Sequence, residues 1–212
     1  MLKVVYLARR REGVPHDELV RRWREVNVAD VAAELHPDRY VVTFFRPHGD
    51  GPHAWDGMAV VHFEDEERGR SLTRGLPEAA RRNGFADLLG DVVRFEADEH
   101  VFFERAAELA DQPLKLTFLV APRPGAPHGE LVRHWVDVHG PAVAAPMADI
   151  PGARRYVASP AHEPAGPYSG VTELSYASRE ASAAHAACLV DDGFGRLADN
   201  GIFLVGEELV VR

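Results

Sequence analysis

The chain opens with a β-rich apolar run, Lys3 to Ala8, stopped by a Gly/Pro turn. From about Pro15 to Leu35 the apolar positions recur at helical spacing. Two strand-like runs follow, Tyr40 to Arg46 and Met58 to Glu64, then a weaker helical pattern near Glu66 to Leu89 and a closing strand near Val92 to Phe103. The order then returns: Lys115 to Ala121, a helix from about Pro127 to Met147, strands at Tyr156 to Ser159 and Val171 to Ala177, a helix at Arg179 to Val190, and a strand from Ile202 to Val211. Pro15 and Pro127 suit a helix first turn, where a missing N–H is harmless.

The residues repeat as well as the pattern. LKVVYLARRREGVPHDELVRRWREVNVADVAA, from Leu2, and LKLTFLVAPRPGAPHGELVRHWVDVHGPAVAA, from Leu114, align without a gap and agree at about half their positions. Downstream, Arg39-Tyr40-Val41 matches Arg155-Tyr156-Val157, and WDGMAVVHF from Trp55 matches YSGVTELSY from Tyr168. The expectation is two copies, residues 1–104 and 114–212, joined by a polar linker over 105–113. Each β-α-β-β-α-β copy reads as a ferredoxin-like unit, so the fold class is α+β. Such a unit leaves one sheet face bare, and a second copy supplies the cover, giving a barrel-like pseudo-dimer within one chain.

One chemical difference stands out between the copies. RHWVDVHGP, Arg133 to Pro141, corresponds to RRWREVNVA, Arg21 to Ala29, with His139 in place of Asn27. Helical spacing puts Leu131, Trp135 and His139 in one inward row, with Leu19, Trp23 and Asn27 as its counterpart. Pro141 lacks an N–H and crowds the Asp137 carbonyl, so a kink or end is expected there, with the first copy running straighter. His139 is the candidate general acid/base, since imidazole titrates near neutrality; the alternative is a core histidine bonded to a carbonyl. Asn27 orients substrate or is structural. Glu173, where the first copy has Val60, is the candidate partner of His139, against a solvated strand face. His62, Tyr156, Tyr168 and Trp135 are candidate pocket residues, each with packing as the competing role. The loops PHGDGPHAW and PAHEPAGPY read as lids or as plain connections.

Composition narrows the function. Apolar residues make up 46% and charged residues 27%, as in ordinary soluble domains. A net charge of −9 disfavours nucleic acid and anionic membranes. One cysteine, Cys188, excludes an internal disulfide and a cysteine zinc site, and fits a cytoplasmic location. No stretch reads as a signal peptide or a membrane span. Phosphate-binding, dinucleotide and serine-hydrolase motifs are absent, and the histidines lack metal-ligand spacing.

The opening strand, the R-x-G-x-P-H-x-E-L-V-R-x-W helix start, the H-G-P, the R-Y strand, the aromatic-x-G and the acidic pair before the last strand (Glu99, Glu208) together resemble the EthD-like members of the dimeric α/β-barrel superfamily. The resemblance covers both copies. It implies that barrel and a helix histidine tied to pocket chemistry. It leaves the reaction open, since relatives include cyclases, isomerases, monooxygenases and haem-handling enzymes. The expected function is a cofactor-independent enzyme, with no cofactor and no metal. It would be a cyclase, dehydratase, isomerase or related lyase, or a cofactor-free monooxygenase, acting on a hydrophobic oxygenated substrate of aromatic or polyketide-like type. The competing expectations are a non-catalytic ligand-binding or accessory protein of an oxidative catabolic pathway, and a haem-binding protein. The expected partner is a hydrophobic small molecule, and the expected state is a monomer, with pairing of chains left open.

Overall fold

The computed structural model describes residues 1–46, 55–105 and 114–212. The linker 106–113 and the loop 47–54 therefore lie outside the described residues. The chain forms two compact units, Met1–Ala97 with Glu208–Arg212, and Asp98–Glu207.

In the first unit, β1 (Leu2–Arg10) is the central neighbour of β3 (Gly57–Phe63) and β4 (Leu89–Ala97), and β2 (Arg39–Phe45) pairs with β3, all antiparallel. The chain end joins this sheet through Val211 N–H to the Tyr40 carbonyl. Strand alternation sends Leu2, Val4, Tyr6 and Ala8 to one face with Tyr40, Val42, Phe44, Ala59, Val61 and Phe63. The helical layer packs on that face through Leu19, Trp23, Val28, Val31 and Leu35.

That row departs from the expected i, i+4, i+8 spacing. The helix runs as α1 (His16–Arg22), a π turn (Trp23–Asn27) and α2 (Val28–Leu35), with Val28 N–H bonded to the Trp23 carbonyl five residues back. The second unit does the same: α5 (His128–His134), a π turn (Trp135–His139) and α6 (Gly140–Ala144), with Gly140 N–H bonded to the Trp135 carbonyl. The added residue turns the following stretch, so Val28 and Gly140 are buried as well; Asn27 stays buried beside Val28, while His139 is only half-buried beside Gly140. The expected end of the helix at Gly140-Pro141 is thus corrected. The helix continues through it, and the first unit, without a proline, carries the same π turn. Gly140 has ordinary helical angles, φ −55° and ψ −55°. Its missing Cβ instead admits Phe102, whose ring a Cβ would meet at 2.2 Å. Val138, within the same π turn, is exposed.

In the second unit, β6 (Leu114–Pro122) lies between β8 (Tyr168–Tyr176) and β9 (Ala198–Val210), and β7 (Ala153–Ala165) between β8 and β5 (His100–Glu104). The single closing strand expected over Val92 to Phe103 is two strands. Asp98 N–H bonds the Pro160 carbonyl, and the chain then pairs with β7 instead of β1. PAHEPAGPY, expected as a lid or loop, is the tip of the β7–β8 hairpin, with a register shift between Pro160 and Ala165 and a turn at Gly166 with φ 60°. The helix expected to reach Val190 stops early: α7 covers Arg179–Ala186. Asp191 and Asp192 accept from the N–H groups of Gly193 and Phe194, two residues on, and so compete with helix propagation. In the first unit the corresponding stretch holds α3 (Glu66–Leu72) and α4 (Glu78–Arg82). Among the described residues, no helix is long and apolar enough to cross a membrane.

Candidate functional site

Most of the repeated motif residues hold the fold. His16 Nδ1 lies 3.0 Å from Asp56 Oδ1, and at the matching place His128 Nδ1 lies 3.2 Å from Ser169 Oγ. Each thus ties the helix start to the middle residue of the aromatic-x-Gly motif. That glycine is required by the helix tryptophan. A Cβ on Gly57 would meet Trp23 at 2.5 Å, and one on Gly170 would meet the Ser159 carbonyl at 2.4 Å and Trp135 at 3.0 Å. Arg155 of the R-Y strand donates to Glu99 of the acidic pair at 3.1 Å and to Glu104 at 2.9 Å.

His139 is different. Its Nδ1–H donates to Asp192 Oδ2 at 2.7 Å, and its ring stacks on Phe194, centroids 4.0 Å apart and planes 9° from parallel. Asp192 Oδ1 also accepts from the Phe194 N–H at 2.9 Å. His134 Nε2 sits 3.9 Å from the same carboxylate, beyond hydrogen-bond reach. With Nδ1 committed to Asp192, Nε2 carries the free lone pair; it meets no protein partner among the described residues. Burial lowers the His139 pKa below 6.5, against the opposing pull of Asp192. Burial disfavours Asp192 ionisation, but the Phe194 N–H and His139 outweigh it and hold the carboxyl below its ordinary value. At neutral pH the pair is therefore a neutral imidazole oriented by a carboxylate, the arrangement of a general base.

The matching place in the first unit holds amides. Asn83, also followed by Gly-Phe, donates through Nδ2 to Asn27 Oδ1 at 3.4 Å and to Asp30 at 2.9 Å, and accepts from the Phe85 N–H at 3.0 Å. Gly84 and Gly193, next in line, both have positive φ, 76° and 86°. Two positions thus differ together, Asn27 with Asn83 against His139 with Asp192. Sequence reasoning saw the first change and missed the second. Its signal was NGF at Asn83 against DGF at Asp192.

The remaining candidates lie elsewhere. Glu173, expected to partner His139, is on the sheet face away from the helices, and its Oε1 is 3.0 Å from the Nζ of buried Lys115. Strand alternation forces this separation: Leu174 and Tyr176 face the helical layer, so Glu173 cannot. His62 is buried on the equivalent face of the first sheet, opposite Lys3 in the register. Trp135 is fully buried against Phe194, with ring centroids 5.8 Å apart. Tyr156 is equally buried, stacked on Phe102 at 5.5 Å, and burial pushes its phenol well above the ordinary value. Tyr168 is buried in β8. Asn27 is buried and spent on Asn83.

Beside His139 lies a cavity of about 320 Å³, lined by Ala142, Val143, Leu189, Val190 and Phe194 on its apolar side and by Arg123, Asp191, Asp192 and Asp199 on its polar side. Ala142 stands where the first unit has Asp30, so no carboxylate fills this space from the helix. A haem does not fit these residues. Three carboxylates beside one arginine line this space and repel a dianionic porphyrin edge. Among the described residues, no cluster of three or more His, Cys, Asp or Glu side chains is disposed to hold a metal.

No family model matches the sequence, and no curated protein matches it. Solved structures do. An anthrone oxidase-like protein superimposes with a TM-score of 0.61 at 11% identity, over 99% of this chain and 93% of its own. Chlorite dismutase from Candidatus Nitrospira defluvii gives 0.57 at 9%, over 99% and 91%. A monooxygenase-like protein from Lactobacillus acidophilus gives 0.53 at 11%, over 99% and 94%. Likeness at this level shows the fold, that of the dimeric α/β-barrel proteins.

Proposed function

We propose that the chain is a cofactor-independent enzyme in which His139 moves a proton on a hydrophobic, oxygen-bearing substrate held in the cavity beside it. The observation that carries this reading is the hydrogen-bonded His139–Asp192 pair standing where the other unit has two amides. An amide pair has the same shape and no usable proton equilibrium. The His–Asp pair supplies a base near neutrality in a fixed tautomer.

Nε2 of His139 takes a proton from a carbon or oxygen acidified by a neighbouring carbonyl, and Asp192 steadies the imidazolium that results. Return of that proton to a different atom isomerises the substrate. Its delivery to a leaving hydroxyl dehydrates or cyclises it. The same anion formed from an anthrone and met by dioxygen gives the quinone and one water, which is the monooxygenase variant. The anthrone oxidase-like neighbour makes anthrone a sensible first compound. In this reading the two units descend from a tandem duplication of an EthD-like repeat, and the single chain is monomeric.

The test is a thermal-shift screen of wild type and His139→Ala against anthrones, aromatic ketones, polyketide-like compounds and lactones, followed by chromatography of each stabilising mixture. A ligand at ~100 times its dissociation constant adds about 2.7 kcal/mol, a readily measured shift. Conversion by wild type with binding alone by His139→Ala supports the enzyme. Unchanged ligand recovered from both proteins supports a carrier instead.

A further inference from the structure

The stretch just before Asp192 differs between the two units in a way that their shared geometry makes readable. Counting back from the Gly-Phe turn, residues 187–191 of the second unit correspond to Glu78–Arg82, the helix α4 of the first. There, Ala79 and Ala80 are turned inward, each 1% exposed, and Ala80 with Phe85 roofs an internal apolar cavity of only about 30 Å³. In the second unit the corresponding residues form no helix. Leu189 and Val190, in the places of Ala80 and Arg81, are 45% and 74% exposed while still edging the His139 cavity of about 320 Å³. Two aliphatic side chains left in water at the rim of a cavity are in an unfavourable position that burial against an apolar surface relieves.

Resting on the function proposed above, we infer that residues 187–192 are the lid of the His139 site, and that Leu189 and Val190 are its specificity-determining residues. They close over a flat apolar ring as α4 closes over the first unit's core. The place of a helix that is shut in one unit is held open in the other, and the missing occupant is the substrate. Asp192 ends the lid and is bonded to His139, so closure and the alignment of the base are linked through one residue. The lid selects an aromatic or otherwise planar hydrocarbon face on the side of Leu189 and Val190. The substrate's oxygen falls toward Arg123 and the imidazole, the polar side of the same cavity.

Cys188, the single cysteine of the chain, lies exposed on this segment and reports its state without any engineering. The experiment follows the rate of Cys188 modification by a thiol-reactive disulfide, with and without 2-naphthol at concentrations up to its solubility, while calorimetry gives the affinity. Wild type should bind 2-naphthol and its Cys188 should then react several-fold more slowly. The Leu189→Asn/Val190→Asn double variant should bind at least about tenfold more weakly, the loss expected when apolar contacts of this size are removed. It should also lose the protection. Both substitutions fall on exposed side chains, so unfolding is not the expected outcome, and circular dichroism checks it. His139→Ala is used to read turnover alone, since the imidazole lines the cavity and holds Asp192 at the end of the lid. Failure of His139→Ala to abolish turnover, with the wild-type and double-variant responses as expected, would sink the catalytic reading and leave the lid standing. The lid is overturned if wild type binds no 2-naphthol, if Cys188 reacts at the same rate when bound, or if the double variant binds as tightly as wild type.

Discussion

His139 gives its Nδ1 proton to Asp192 at 2.7 Å, at the place where Asn27 in the other unit receives one from Asn83 at 3.4 Å. One hydrogen-bonded geometry is thus built twice, once from groups that titrate and once from groups that do not. The surrounding scaffold is common to both: a π turn begun by tryptophan, and an Asx turn closed by a positive-φ glycine and a phenylalanine.

Removing the base should abolish turnover while sparing binding. His139→Ala is expected to lower kcat by about 10²–10⁴, the usual span for a general base. Asp192→Asn should cost a similar amount by freeing the imidazole to adopt the wrong tautomer. Steady-state kinetics on a converted compound, with calorimetric affinity, separates these from losses in binding.

The pH profile should carry the signature of the pair. Burial lowers the His139 pKa and Asp192 raises it, with burial the larger effect. The acid limb of kcat/KM should therefore have its midpoint below 6.5. Asp192→Asn removes the raising influence, so in that variant the midpoint should move lower still. A midpoint that stays in place after the substitution would show that another group governs the limb.

Stability should fall with acid through a second histidine. His185 Nε2–H donates to the Val143 carbonyl at 2.8 Å, which leaves Nδ1 to accept from the Tyr176 hydroxyl at 2.5 Å. Burial lowers the His185 pKa. The unfolded chain therefore binds the proton first, and unfolding takes up protons in the interval between the folded value and 6.5. The contribution is complete above 6.5 and is lost as pH falls toward the folded value. Thermal melts of wild type and His185→Gln across that interval check this, the variant being less stable at neutral pH and less sensitive to acid.

The Lys115–Glu173 pair should prove structural. Either single substitution, Lys115→Met or Glu173→Leu, removes one half of a buried ion pair and is expected to destabilise by about 3–5 kcal/mol. The double substitution should recover most of that loss. Urea unfolding of the three variants gives the coupling directly. A Glu173→Gln protein with normal stability and no turnover would return Glu173 to the catalytic site.

The sequence made strands, faces and element order readable, because alternation and helical spacing record which side of each element is buried. Glu173 lies on the face opposite Leu174 and Tyr176, as two-residue alternation along β8 requires. Its partner was missed because Lys115 is on a neighbouring strand and sequence distance hides register. The π turns were missed because a 3.6-residue period was assumed throughout. The five-residue step from Trp23 to Val28 and from Trp135 to Gly140 was the available sign. Asp192 was missed because it lies in a loop 53 positions from His139, where no periodicity points to it.

The most direct test of the central account converts the titrating pair into its amide counterpart. His139→Asn with Asp192→Asn places in the second unit the residues that the first already accommodates, so the protein should fold normally. Proton exchange at the acidic carbon of anthrone is followed in deuterated buffer by nuclear magnetic resonance, beside a protein-free control. Wild type should accelerate exchange, and the double variant should match the control. Exchange by the double variant at the wild-type rate, or no acceleration by wild type, would contradict the assignment of His139 as the base.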